Sequence, residues 1–189
     1  GVNIAELFPK EEITFEDLKN KKIAVDAYNA LYQFLSSIRQ PDGTLLMDSK
    51  GNVTSHLQGL FTRTVNLMGK GIKLCYVFDG TPPALKLKEQ QDRSARKNEA
   101  ELKYQQATEE ENIEDMSKYA KQFSRLTSQM VKESKELLSA LGLPVIEAPS
   151  EAEAQAAFMC RNGDVYATAS QDADSLLFGS PRLLRNLTL

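Results

Sequence analysis

Six acidic residues in this chain fall in one kind of place. Asp26 ends the apolar stretch KKIAVD and Asp79 ends KLCYVFD; Glu151 and Glu153 stand in SEAE, shortly after LPVI; Asp172 and Asp174 follow VYATA. If those four stretches are parallel strands, their carboxyl ends lie along one edge of a sheet, where loops converge on a crevice suited to a ligand. Carboxylates a few ångströms apart raise one another's pKa, so such a cluster calls for compensating positive charge. Oxygen donors with no His or Cys nearby suit magnesium, with manganese as a substitute, better than zinc. Several carboxylates with room for water fit two hydrated ions about 4 Å apart, which would stabilise the attacking and leaving oxygens of phosphodiester cleavage.

Each carboxylate also has a local explanation. Asp26 could cap the helix that follows it, and Asp79-Gly80 is a common turn pair. Ser150 to Glu153 fits a capping box, which leaves Glu151 unexplained. Asp172 and Asp174 could cap a short helix through Leu177. Caps occur at either end of a sheet, however, whereas all six of these residues are predicted at the same end. An aspartyl phosphotransferase would need a second aspartate close to the first strand, typically as DxD, and here Asp26 is followed by Ala27 and Tyr28.

The elements that must position these groups are legible as alternating strands and helices. Lys21 to Asp26 and Lys73 to Asp79 read as buried strands, Leu143 to Ile146 as a third and Val165 to Ala169 as a fourth. Ala30, Leu31, Phe34, Leu35 and Ile38 recur at helical spacing, and the PDG of Pro41 to Gly43 ends that helix. Ser55 to Met68 repeats the pattern through Leu57, Leu60, Phe61, Val65 and Met68, stopped by Gly69 and Gly71. A helix from about Glu151 to Cys160 offers Ala152, Ala156, Ala157 and Phe158 as buried contacts. Between Ala84 and about Glu111 the chain is helix-prone but lacks a core stripe, and a better helical pattern runs from about Met116 to Leu141. The fold class predicted is a three-layer α/β/α domain over residues 1–189, with a mostly parallel sheet and one helical excursion.

Composition narrows the class further. The chain has 189 residues and a formal net charge of −3, so binding through bulk positive charge is disfavoured. The charge is segregated, however. Lys86, Lys88, Arg93, Arg96, Lys97 and Lys103 make one stretch basic, and Glu109 to Asp115 is acidic. No apolar run approaches the roughly 20 residues of a membrane span, which together with the lack of a signal-peptide pattern predicts an intracellular protein with no membrane partner. Cys75 and Cys160 read as reduced core thiols, and the lone His56 as structural.

The stretches AVDAYNALYQFL, YVFDGTPPALK, EAPSEAEAQ and SQDADSLLFGSP resemble, in order and spacing, the motifs of the flap endonucleases of the XPG nuclease family; PDGTLLMD and TSHLQGLF extend the resemblance, which is closer to archaeal members. It implies a magnesium-dependent nuclease cutting branched DNA with a 5′ flap, with 5′-3′ exonuclease activity, in replication and repair. Asp26, Asp79, Glu151, Glu153, Asp172 and Asp174 match six of the family's metal-binding carboxylates. Lys86 and Arg93 match basic residues beside the scissile phosphate, where they would offset charge developing during attack. Tyr32 matches an aromatic on which a base can stack, and Arg39 joins Tyr32, Lys86 and Arg93 in the implied DNA-contacting set. Residues 84–129 correspond to a helical arch for the single-stranded 5′ end, and Gly1 to a glycine near the active site.

A seventh family aspartate, a helix-hairpin-helix element and a C-terminal tail that binds the sliding clamp correspond to positions past Leu189. A non-catalytic DNA-binding fragment is therefore the alternative reading. Localisation would be cytoplasmic for an archaeal protein and nuclear for a eukaryotic one.

Overall fold

Two lysines followed by Ile-Ala-Val, and one followed by Leu-Cys-Tyr-Val-Phe, form strands because both faces of each run are covered. Ile23, Ala24, Val25, Tyr76, Val77 and Phe78 are all but inaccessible. A computed structural model describes residues 4–83, 86–110, 112–123 and 125–188, with the side chains of residues 5, 87–93, 113, 117 and 121–123 left aside. After a 3-10 turn at Ala5–Leu7, the elements are β1 (Lys22–Asp26), α1 (Ala27–Ser37), α2 (Ser55–Gly69), β2 (Lys73–Phe78), α3 (Leu87–Glu109), α4 (Ile113–Phe123), α5 (Ser128–Ala140), β3 (Val145–Glu147), α6 (Ala152–Arg161), β4 (Ala167–Ala169), α7 (Asp174–Leu177) and β5 (Leu183–Leu184). The five strands form one all-parallel sheet in the order β3-β2-β1-β4-β5, with helices on both sides, as the alternation of elements predicts. The fifth strand carries only two leucines, too short a signal to read from sequence.

The contacts divide the chain into two compact units. The first comprises Gly1–Ala30, Phe61–Thr81 and Lys135–Leu189 and contains the whole sheet; the second comprises Leu31–Leu60 and Pro82–Ser134. In the first, Ala24, Cys75 and Val77 pack with Ala152, Ala156 and Cys160 of α6. The small side chains of α6 allow the helix to lie close to the strands. Cys75 and Cys160 are buried free thiols, as expected. Phe158, expected inside, is 48% exposed, and Cys160 takes the buried position instead.

The buried seam of α2 also differs from the one predicted. Leu60, Thr64 and Leu67 are buried, while Phe61, Val65 and Met68 are exposed. A threonine can occupy the seam because its hydroxyl lies 2.8 Å from the Tyr76 phenol, so neither polar group is buried without a partner.

In the second unit α3 and α4 pack against each other. Ala100, Ala107 and Ala120 are buried there, so the contact needs no large apolar stripe. The helical pattern read from Met116 to Leu141 is two helices rather than one. Thr127 starts the second: its Oγ1 accepts the Met130 N–H at 3.2 Å, a side-chain cap that favours a new helix start over continuation. His56 is fully buried, and its Nε2 lies 3.0 Å from Glu133 Oε2, which bears out its structural assignment with a partner remote in sequence. No helix among the described residues is long and apolar enough to cross a membrane.

Gly59 marks a tight helix contact in this unit, since a Cβ there would collide with the ring of Phe34 and the end of Ile38. Gly59→Ala is expected to destabilise the protein by roughly 1–3 kcal/mol through overpacking, read as a lowered urea midpoint with an unchanged slope.

Candidate functional site

An all-parallel sheet brings every strand's carboxyl end to one edge, and the six acidic residues stand there. Asp26 is the last residue of β1 and Asp79 the first after β2; Glu151 and Glu153 follow β3, and Asp172 and Asp174 follow β4. The chain leaves β1 toward β2 and β3 on one side and returns to β4 on the other, so the order reverses between β1 and β4. A pocket opens at that reversal, lined by Asp26, Asn29, Ser170, Gln171, Leu187 and Thr188 among others.

Asp26 is the most constrained of the six, with only 8% of its surface exposed. One carboxylate oxygen accepts the Asn29 N–H at 3.0 Å and so caps α1, while the other faces the Ser170 hydroxyl at 3.4 Å. The capping explanation and the cluster are thus both realised, on different oxygens. Burial pushes the Asp26 carboxyl up to about 6, opposed by the Asn29 N–H and helped by the negative charges of Asp79 and Asp172. Those couplings tie three strand ends together electrostatically.

Asp79 is exposed and held by a different device. Its Oδ1 accepts the Ala152 N–H at 2.7 Å, at the start of α6. The SEAE capping box does not form, because Glu151 rather than Ser150 occupies the N-cap and a side chain 73 positions away takes the first free amide. Glu153 lies in the first turn of α6 and Asp174 in the first turn of α7; both are partly exposed. Gly80 makes the Asp79 contact sterically feasible: its N–H reaches Ser150 O at 2.7 Å, and a Cβ there would overlap the Ala148 carbonyl.

Asn29 and Ser170 are site residues that the sequence reading did not single out. The Asn29 amide donates to Asp172 at 3.2 Å and accepts the Gln171 N–H at 2.9 Å, fastening the loop after β4 to α1. Ser170 Oγ also accepts the Asp172 N–H at 3.2 Å. The available signal was positional: Asn29 is one helical turn past Asp26, and Ser170 directly follows β4. Among the described residues, no three His, Cys, Asp or Glu side chains are gathered tightly enough to form a finished metal site. The donor set is nevertheless oxygen-only and anionic, which suits a hydrated magnesium or manganese ion.

The predicted nucleic-acid contacts belong to the second unit. Tyr32 is 41% exposed, and Lys97 Nζ lies 5.0 Å from its ring centroid. Arg39 is partly buried and donates from Nη1 to Gly43 O at 2.5 Å, which gives it a role in holding the turn. Lys86 is exposed at the N-cap of α3. Arg93 belongs to α3, but its side chain lies outside the described residues, as does all of Gly1.

Residues 5–100 match the XPG N-terminal domain and residues 142–189 the XPG I-region. Flap endonuclease 1 of Pyrococcus horikoshii is 58% identical over 189 residues, covering 100% of this chain and 55% of that protein. The Aeropyrum pernix flap endonuclease 1 is 58% identical over 192 residues, with coverage of 100% and 55%. The flap endonuclease-1 structure from Methanococcus jannaschii has a TM-score of 0.75 at 51% identity, covering 100% of this chain and 60% of that one. The catalytic core of Rad2 in complex with DNA substrate gives 0.67 at 31% identity, with coverage of 94% and 45%. The chain spans about half the length of the curated relatives it matches.

Two outcomes follow from this geometry. An unfolded aspartate titrates near 3.8 and Asp26 near 6, so native stability falls as pH rises across that interval and stays lowered above it. Without divalent ions, Asp26→Asn is expected to be more stable than the parent at neutral pH by on the order of 2–3 kcal/mol, with the gain gone below about pH 4, measured by urea unfolding across pH. Gly80→Ala is expected to move the Asp79 loop off α6, weakening hydrogen-exchange protection of the Ala152 amide while the β1 amides stay protected.

Proposed function

The chain belongs to the XPG family, and from that premise we propose that the protein is a structure-specific endonuclease that cleaves 5′ flaps of branched DNA, with 5′-3′ exonuclease activity, in replication and repair. The observation that best supports this reading is the common edge shared by the six carboxylates, with Asp26 coupled to Asp79 and Asp172. Two divalent ions, magnesium or manganese, would supply when bound the positive charge that offsets the attacking and leaving oxygens of phosphodiester hydrolysis. Asp26, Asp79, Glu151, Glu153, Asp172 and Asp174 are the proposed ligands. The products are a 5′-phosphate and a 3′-hydroxyl.

The remaining chemistry falls to the chain's own groups. Asn29 and Ser170 orient Asp26 and Asp172, and the Ala152 N–H holds Asp79, so little reorganisation is needed when substrate arrives. Lys86 and Arg93 balance charge on the phosphate oxygens, while Tyr32 stacks on a base beside the cut and Arg39 contacts the backbone. Residues 84–129 form the arch that receives the single-stranded 5′ end. Recognition rests on DNA shape, phosphates and strand ends rather than base sequence. The sliding clamp is the proposed protein partner, engaged through a C-terminal tail outside these 189 residues. The site of action is inside the cell, in the cytoplasm for an archaeal protein.

The deciding assay incubates the intact protein with magnesium and a 5′-labelled flap duplex. The expected result is release of the flap, reduced at least about a hundredfold by Asp174→Ala with flap binding retained. Binding without magnesium-dependent cleavage by the parent protein would support a non-catalytic DNA-binding module instead.

A further inference from the structure

The amino ends of the strands carry the opposite charge. Lys22 and Lys73 open β1 and β2 and are partners in register, so two cationic side chains start neighbouring strands about 4.8 Å apart. Tyr166, just before β4, donates its backbone N–H to Lys22 O at 2.7 Å. Lys21 Nζ lies over the Tyr166 ring at 5.0 Å and Arg182 Cζ at 4.6 Å, and Arg182 leads into β5. Lys21, Lys22, Lys73 and Arg182 are all exposed. They line the amino edge of the sheet from β2 to β5, away from the carboxylates.

The Tyr166 ring meets Lys21 and Arg182 but leaves their charge in place. Among the described residues, none of these four side chains takes part in an ion pair. Glu16 is taken by Lys19 at 3.2 Å. Arg161 has an ordinary explanation, since it ends α6, whose terminal carbonyls favour a cation, and Lys70, just past α2, lies 4.4 Å from the Phe15 ring centroid. The four residues of the row stand at or just before strand starts, where the backbone dipole is small, and Arg182 donates from Nη1 to the neutral Tyr166 carbonyl at 3.5 Å. Like charges on register partners are destabilising unless something outside the chain neutralises them.

We propose that this edge is a second phosphate-binding surface, holding the backbone of a nucleic-acid arm other than the one being cut. A row of cations spread over three strand spacings, about 14 Å, suits a polyanion with repeating charge better than one small anion. The Tyr166 ring is covered by cations, so the surface offers charge rather than base stacking, and the contact is independent of sequence. The five residues of β1 separate the two edges by about 16 Å, so the row and the carboxylates face different segments of DNA. This inference rests on the nuclease reading only for the choice of nucleic acid as the polyanion.

The test is fluorescence anisotropy of the intact protein with a labelled blunt duplex in EDTA, across a range of salt, comparing the parent, Lys22→Gln/Lys73→Gln and the exposed control pair Lys10→Gln/Lys50→Gln. The row variant is expected to lower the slope of log K against log salt by about 1.8, two phosphate contacts at about 0.9 each, with the control unchanged. Single-turnover flap cleavage at saturating protein is expected to stay at the parental rate in the row variant. That rate tests the nuclease reading, so either inference can fail separately. An unchanged slope, or an equal loss in the control pair, would overturn the proposal.

Discussion

Strands that all run the same way must all end at the same edge, and this topological constraint governs the molecule. Asp26, Asp79, Glu151, Glu153, Asp172 and Asp174 are spread over most of the chain, yet each stands at or just beyond the carboxyl end of a strand. One antiparallel strand in the sheet would carry its acidic residue to the far side. The same constraint sends Lys22 and Lys73, which open strands, and Arg182, which leads into one, to the other edge. A nearly neutral chain thereby acquires a polarity along the strand direction.

Gathering negative charge is costly, and the structure offsets the cost with donors both local and drawn from remote parts of the chain. Asp79 takes an amide of α6, Asp172 takes the Asn29 side chain, and Asp26 takes an amide of its own helix. Charge-assisted hydrogen bonds of this kind are about twice as strong as neutral ones. Asp26 remains the least comfortable, because burial removes the water that would stabilise its charge. A group in that state gains most from a cation, which links the strain in the resting fold to the chemistry proposed for it.

The second unit solves a different problem. Its long helix α3 has few large apolar residues, and among its described side chains the buried ones are alanines, in a helix that packs on α4. Alanine contacts remove little surface from water, so such a helix pair is held weakly compared with the sheet. Elements of low local stability are where ligand-dependent ordering usually resides, in keeping with the arch proposed for residues 84–129.

The sequence by itself determined four of the five strands, the α/β class and the place of six acidic residues at or after strand ends, because each is written in short-range pattern: an apolar run ended by an acid, or an apolar spacing of 3.6. It could not separate α4 from α5, since one apolar spacing runs through both and only the Thr127 cap shows the break. It misjudged the buried seam of α2, where Thr64 lies inside and Phe61 outside, because a threonine is tolerated in a core only when a remote hydroxyl such as that of Tyr76 meets it. Which donor holds which carboxylate was likewise decided only by tertiary structure. Asp79 reaches an amide 73 positions away and Asn29 a carboxylate 143 positions away. Local spacing carries no information about such meetings, which arise when strand order and register bring distant turns to one edge.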